Sequence, residues 1–487
     1  MWSRATLVVH LSRPAFASPQ LARHARRDSA SVFATPYSSA SSPHMHSQPL
    51  ASTNRVDPYA LLKAEITHIR SSFLSLLGSS DSSLSEPIAS YYFHHPSKQL
   101  RSLLVLLFSH ATNGLGSHFP LKLAEHSRLS TEQLDAPLSR PDGLDDYNPS
   151  MPDHAASFQS PFDLRLPPTH TFLSPPPSLC AESAVSTPHL AHTLLPTQLR
   201  LAQIVEMMHI TSLLHHDVSN KSDLRGGASS TPVAFDSKLT VLGGDFLLGR
   251  IIAALSQLGD NEVVELISTA LISLVEGEVL QMRGTDAETH VDLLSSLHPS
   301  MSGEVDFKLA SLHAQPLHAE VPCSDRWCRY LKKTYLKTAS LMAKGARAAV
   351  DLGGCREGEI WKEVAYAYGL NVGIAFHLVN DILDCSSSVP LGKPLGGYLH
   401  LGIATGPVLY AAEEHPELEP LIARGFKHDG DIERALSLIH ASSGVQRTWE
   451  LAQVYADKAR EVLGELPASE AREALESLTD GVVRRGR

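Results

Sequence analysis

Cysteine is scarce in this sequence, since only five cysteines are spread over its 487 residues. Cys323 and Cys328 bracket the segment "SDRW", but no second pair completes a zinc-binding set. Reduced intracellular thiols are therefore favoured over a disulfide framework.

Long apolar runs and an excess of basic residues are missing as well. The run "LLVLLF" at 103–108 is far shorter than the roughly 18 residues that a membrane span needs. It indicates a core helix, so we predict no transmembrane segment, although peripheral membrane association stays open. The net charge of −11 argues against nucleic acid as a partner.

Acidic residues are absent from the first 27 positions, which carry five arginines together with serine, alanine and histidine. A basic, serine-rich and acid-poor N-terminus is typical of a mitochondrial transit peptide, with a disordered basic tail as the alternative. We therefore predict mitochondrial localisation and exclude residues 1–50 from the folded domain.

From Asp57 onward, apolar residues recur with the helical period, and no convincing strand alternation is present. This pattern predicts an all-α fold, a bundle of about ten long helices. Two stretches, 129–192 and 285–322, are poor in periodicity, and the first is rich in proline and serine. We interpret both as flexible surface insertions within one domain, 57–487.

Acidic and basic residues then suggest a site. Asp381 and Asp384 are spaced to share a helix face in an apolar segment, and Asp217 on another predicted helix could face them. Carboxylates on two helices, surrounded by cations, suit a diphosphate bridged by magnesium. The candidate diphosphate contacts are Lys98, Arg101, Arg225, Lys337, Thr338 and Lys393.

Several motifs extend the pattern over most of the chain: "HPSKQLR", "TLLPTQLRLAQIVEM", "GDFLLGR", "LVEGEVLQM", "YLKKTYLKTASL" and "LGIATGPVL". On these motifs the chain resembles the trans-polyprenyl diphosphate synthases, in particular the fungal mitochondrial hexaprenyl enzymes that make the ubiquinone tail. The resemblance implies an isoprenoid synthase helical bundle, usually dimeric. It also implies that an allylic diphosphate is condensed with isopentenyl diphosphate, with magnesium as the cofactor.

The resemblance also implies roles for single residues. Lys98, Arg101 and His209 match isopentenyl diphosphate contacts, while Arg225, Lys337, Thr338 and Lys393 match diphosphate contacts. Asp217, Asp381 and Asp384 match metal-binding acids of the two Asp-Asp-x-x-Asp motifs, and with Lys337 they are the predicted catalytic residues. The other three acidic positions carry His216, Asn220 and Asn380. Because half of the motif carboxylates are replaced, we expect a weakened magnesium site.

Further departures from the family pattern are Gly226, His377 and Tyr398, which stand where an arginine, a glutamine and an aspartate are expected. Four interpretations remain open. In the first the chain is an active synthase, and in the second it is a non-catalytic subunit that assembles with an intact synthase. In the third it is a repurposed class I terpene synthase, and in the fourth a helical scaffold. A transition-metal site at His209, His216 and Asp217 is a further, weaker alternative.

Overall fold

Helices make up nearly all of the regular structure in the computed structural model. It describes residues 56–77, 88, 91–94, 99–128, 193–220, 224–225, 228–282, 325–386 and 395–485. The predicted transit peptide and both predicted insertions lie outside these residues, and their boundaries stay predictions.

The N-terminal half contributes the helices that carry the first acidic motif. They are α1 (Pro58–Leu61), α2 (Lys63–Leu77), α3 (Leu100–Thr112), α4 (Phe119–Arg128), α5 (Pro196–Ser219), α6 (Thr231–Phe235), α7 (Ser237–Gln257) and α8 (Asn261–Met282). A 3₁₀ turn, Tyr91–His94, precedes α3. Between α5 and α6 the two-residue strands Leu224–Arg225 and Ala228–Ser229 pair antiparallel. This pair is the one departure from an all-helical fold among the described residues.

The C-terminal half carries the second motif. Its helices are α9 (Asp325–Thr334), α10 (Ser340–Leu352), α11 (Ile360–Cys385), α12 (Gly397–His400), α13 (Gly406–Glu414), α14 (Leu418–Ala423), α15 (Asp431–Ala441), α16 (Gly444–Leu463) and α17 (Glu470–Arg484). A π-helical segment, Tyr335–Ala339, joins α9 to α10. These elements and those of the N-terminal half belong to one compact unit, Asn54–Arg487.

Helix α10 forms the centre of the bundle, because it packs against α3, α5, α8 and α11. Nearly all of its side chains are buried, and many are small. Its neighbour α11 approaches closely at two glycines, where a Cβ on Gly369 or Gly373 would lie 2.6 Å from the backbone of Met342 or Ala339. Side chains at these positions would push α10 and α11 apart, so the glycines fix the position of the second acidic motif.

Helix α7 bears on the prediction that the chain has no transmembrane segment. Among the described residues it is the one helix that is long and apolar enough to cross a membrane. Length and composition are weak grounds here, because the core helix of a bundle passes the same test. Thr240, Leu247 and Ile251 are buried where α7 packs on α5, so this helix is an element of the bundle.

Candidate functional site

The carboxylate retained in the first motif is fully buried. Asp217, near the end of α5, has 0% of its surface exposed and accepts a hydrogen bond from the hydroxyl of Tyr92. The same Tyr92 oxygen accepts a hydrogen bond from the backbone N–H of Thr231, at 3.2 Å. Burial and the Asp217 carboxylate raise the pKa of Tyr92, which keeps it protonated as a donor. Asp217 thereby ties α5 to the 3₁₀ turn.

Both carboxylates retained in the second motif are buried in the same way. Asp381 is 1% exposed and accepts hydrogen bonds from the hydroxyl of Tyr330 at 2.6 Å and from the backbone N–H of Gly406 at 3.3 Å. Asp384 is 2% exposed and accepts one from the backbone N–H of Tyr398 at 2.9 Å. Burial and Asp381 raise the pKa of Tyr330 well above its usual range. These contacts connect α11 to α9, α12 and α13.

The replaced positions of the first motif lie on a different face of α5. His216 and Asn220 are four residues apart, so they stand one above the other, while Asp217 is turned by about 100°. Their ring and amide nitrogens contact each other. The Asn220 amide also donates to Glu278 Oε1 on α8, at 3.1 Å.

Lys337 completes this group of side chains. Its ammonium lies 2.7 Å from Glu278 Oε2 and donates to Gln281 Oε1 at 2.6 Å, while the Gln281 amide lies 3.4 Å from Asn220 Oδ1. Burial opposes ionisation of Glu278, but Lys337 and His216 outweigh it and lower its pKa. We call His216, Asn220, Glu278, Gln281 and Lys337 the polar network.

The backbone presents Lys337 in a specific way. It lies in the π-helical segment, a local geometry that is frequent at functional sites. Gly277 makes room for it, because a Cβ there would stand 2.6 Å from the Lys337 side chain. The next residue, Thr338, is buried and its hydroxyl lies 2.9 Å from His377 Nδ1. The segment therefore connects the polar network to His377, whose ring lies 3.8 Å from Asp381 of the second motif.

Lys333, one helical turn before Lys337, adds a second cation that the sequence reasoning missed. Its ammonium lies over the Tyr330 ring, 5.3 Å from the ring centroid. Burial lowers the pKa of Lys333 to about 8, with the Asp381 carboxylate opposing and Lys337 reinforcing the shift. Glu278, Gln281, Tyr92 and Tyr330 were missed too. The spacing of Glu278 and Gln281, three residues apart on one face of α8, was the available signal.

The side chains present do not fit a pair of magnesium ions held between two acidic motifs. The three retained carboxylates are buried and accept protein hydrogen bonds, while the replaced positions offer neutral or imidazole donors. Within the described residues, no three His, Cys, Asp or Glu side chains are grouped to hold a metal ion. The assignment of Asp217, Asp381 and Asp384 as metal ligands stays a prediction.

The remaining predicted contacts are only partly described. Arg101 lies at the start of α3, where burial lowers its pKa and the nearby Glu206 carboxylate raises it. Its buried Nε has no hydrogen-bond partner among the described residues. His209 lies two turns before His216 on α5 and is partly buried. Lys98, Lys393 and the side chain of Arg225 lie outside the described residues.

The environment of His377 predicts a pH dependence of stability. Burial lowers the pKa of His377 to about 4, so the unfolded chain binds the extra proton first. The contribution of neutral His377 to the free energy of unfolding is complete above about pH 6.5. It falls by roughly 3 kcal/mol as the pH is lowered toward 4. Urea unfolding across this range should show the loss, and His377→Gln should reduce it. His400→Gln, at an exposed site, should not. An unchanged pH profile in His377→Gln would contradict the prediction.

Comparison with known proteins shows the family. The Polyprenyl synthetase family model matches residues 180–439. The mitochondrial hexaprenyl pyrophosphate synthase of Saccharomyces cerevisiae is 38% identical over 88% of this chain and 90% of its own length. The probable mitochondrial hexaprenyl pyrophosphate synthase of Neurospora crassa is 37% identical over 86% and 80%. The chain belongs to the polyprenyl synthetase family.

Solved structures support the fold. A polyprenyl synthase from Caulobacter crescentus, complexed with calcium and isoprenyl diphosphate, has a TM-score of 0.59, with 23% identity over 88% of this chain and 96% of that chain. A heptaprenyl diphosphate synthase from Staphylococcus aureus has a TM-score of 0.60, with 18% identity over 88% and 99%. The predicted all-α isoprenoid synthase bundle is thereby confirmed.

Proposed function

We propose that this protein is a mitochondrial prenyltransferase of the trans-polyprenyl diphosphate synthase type. It condenses an allylic diphosphate with isopentenyl diphosphate and serves the ubiquinone side chain. Family membership and the names of the mitochondrial relatives support this proposal. The structural observation that carries it is the pair Lys337 and Thr338 on one π-helical segment. Lys337 contacts Glu278, which in turn contacts the first-motif residues His216 and Asn220. Thr338 contacts His377, whose ring lies 3.8 Å from Asp381 of the second motif.

In this proposal the two substrates bind to different sets of side chains. Lys337 and Thr338 hold the diphosphate of the allylic substrate, since an ammonium and a hydroxyl both donate to phosphate oxygens. Arg101 contacts isopentenyl diphosphate, and its unpaired buried Nε among the described residues suits an incoming anion. Lys98, Arg225 and Lys393 are proposed as further diphosphate contacts, and His209 as a contact to isopentenyl diphosphate.

Magnesium is the cofactor that the family resemblance implies. We propose that its affinity for this chain is low, because only Asp217, Asp381 and Asp384 remain and all three are buried. Oxygen ligands attract magnesium in proportion to their negative charge, and the amides at Asn220 and Asn380 carry none.

A second candidate function is a non-catalytic subunit that assembles with an intact synthase. The burial of every retained motif carboxylate favours it, because ionisation of an allylic diphosphate needs strong stabilisation of the leaving group. Among the relatives, a protein of Schizosaccharomyces pombe is named decaprenyl-diphosphate synthase subunit 1 and is 38% identical over 60% of this chain.

A product assay separates these candidates. The protein without its first 50 or so residues is incubated with magnesium and farnesyl or geranylgeranyl diphosphate, with and without isopentenyl diphosphate. Mass spectrometry of elongated products that require isopentenyl diphosphate would establish the synthase and its chain length. A hydrocarbon or alcohol formed without it would establish a terpene synthase. No turnover would overturn the proposed activity and favour the subunit.

An apolar surface supports self-association. Leu242 and Ile252 on α7 are 60% and 63% exposed, and Ile272, Val275 and Met282 are exposed on α8. On each helix these residues share one stripe. Unpartnered stripes on consecutive helices are typical of an interface, so we propose that a second copy of this chain covers them.

Charged side chains introduced into this apolar surface should prevent dimer formation. Leu242→Glu with Ile252→Glu is expected to convert a dimer into a monomer in light scattering, because two buried carboxylates would lack partners. Ala441→Glu, at an exposed position at the end of α15 and outside this surface, serves as the control. A wild-type monomer that dimerises only with an added intact synthase would replace the homodimer by a heteromer.

A further inference from the structure

The polar network contains a lysine, an imidazole and two amides, but only one carboxylate. We propose that this network binds the diphosphate group directly, without a divalent cation, and that Glu278 is the internal anion that the diphosphate displaces. The inference rests on the proposed function for the identity of the ligand, an organic or inorganic diphosphate.

The first argument is the charge of the side chains. Two facing sets of carboxylates repel a diphosphate, so magnesium must lie between them. Here the corresponding first-motif positions on α5 carry His216 and Asn220, which remove that repulsion. The Asn220 amide, the Gln281 amide and the Lys337 ammonium are hydrogen-bond donors that phosphate oxygens accept from directly.

The second argument is the geometry around Glu278. Its Oε1 accepts from Asn220 at 3.1 Å and lies 3.6 Å from His216 Nδ1, while its Oε2 lies 2.7 Å from Lys337. One carboxylate thus occupies donors on α5 and on the π-helical segment at once. A diphosphate carries more charge and more oxygens than this carboxylate, so it competes for the same donors.

The third argument is the state of the retained acids. Asp217, Asp381 and Asp384 already accept hydrogen bonds from Tyr92, from Tyr330 with Gly406, and from Tyr398. Each of these donors contacts the Oδ2 atom of its acid, so a metal bound through that oxygen would leave a buried hydroxyl or N–H donor without an acceptor, which is costly. A diphosphate bound by the polar network leaves these contacts intact.

Displacement of Glu278 by the diphosphate predicts opposite effects of substitutions at Glu278 and Lys337, which contact each other. Glu278→Gln removes the competing charge and should tighten diphosphate binding by about tenfold. Lys337→Gln removes the cation and should weaken binding by at least about tenfold. Glu276→Gln, two residues away on the exposed side of α8, is the matched control and should leave affinity unchanged.

The test is isothermal titration of the full chain with inorganic diphosphate, once in EDTA and once with magnesium. We expect binding in EDTA, an affinity that magnesium changes less than about threefold, and the two opposite mutant effects. The inference would be overturned if binding required magnesium, or if neither Glu278→Gln nor Lys337→Gln changed the diphosphate affinity. Thermal unfolding of each variant checks that it is folded.

The outcomes separate this inference from the proposed function. Binding in EDTA without elongated product in the assay would keep the metal-independent site and reject the synthase. Elongation together with magnesium-dependent binding would keep the synthase and reject the metal-independent site.

Discussion

Returning aspartate to positions 216, 220 and 380 is expected to raise elongation activity by about 100-fold or more, because each restored carboxylate adds stabilisation of the departing diphosphate through bound metal. The positions are suitable, since His216 and Asn220 share one face of α5 and Asn380 is partly exposed beside the buried Asp381. The measurement is the initial rate of isopentenyl diphosphate incorporation at several magnesium concentrations. Adding Gly226→Arg should raise the rate further.

A charge added at an exposed position of the same helix is the control for this experiment. Ser219→Asp adds a carboxylate at an exposed position next to Asn220 and should not change the rate. If the triple variant also leaves the rate unchanged, the pocket no longer supports elongation even with these acids restored, and this favours the subunit function.

Replacing Asp381 by alanine is expected to lower the free energy of unfolding by about 3 kcal/mol, because the Tyr330 hydroxyl and the Gly406 N–H would lose a buried acceptor. Urea unfolding followed by circular dichroism measures the change. Tyr330→Phe removes only the donor and should cost about 1 to 2 kcal/mol. Asp429→Asn, at an exposed position, is the control.

This experiment also decides between two roles for Asp381. Asp381→Ala with unchanged stability but reduced magnesium affinity would support the metal role that the resemblance implies. Reduced stability with unchanged diphosphate affinity in EDTA would support the structural role that its contacts indicate.

Local patterns in the sequence determined the helices. Helix α5 begins at Pro196, a residue suited to a first helical turn, and Gly353 caps α10. The helical period of the last part of the sequence, near 446–464 and 468–485, corresponds to α16, Gly444–Leu463, and α17, Glu470–Arg484. At the start of α8 the side chain of Asp260 accepts the N–H of Val263. Such features depend on neighbours in sequence, so they are readable from it.

The direction in which each acid points was decided by tertiary structure alone. The sequence places Asp217 beside His216 and Asp381 beside Asn380, but spacing cannot say which member of a pair is buried. Tyr92 and Tyr330 come from elements more than 50 residues away from their acids and take both carboxylates as acceptors. Glu278 reaches Lys337 because α8 packs on the π-helical segment. A buried polar group must find a partner wherever the chain supplies one, and that partner is set by packing between distant elements.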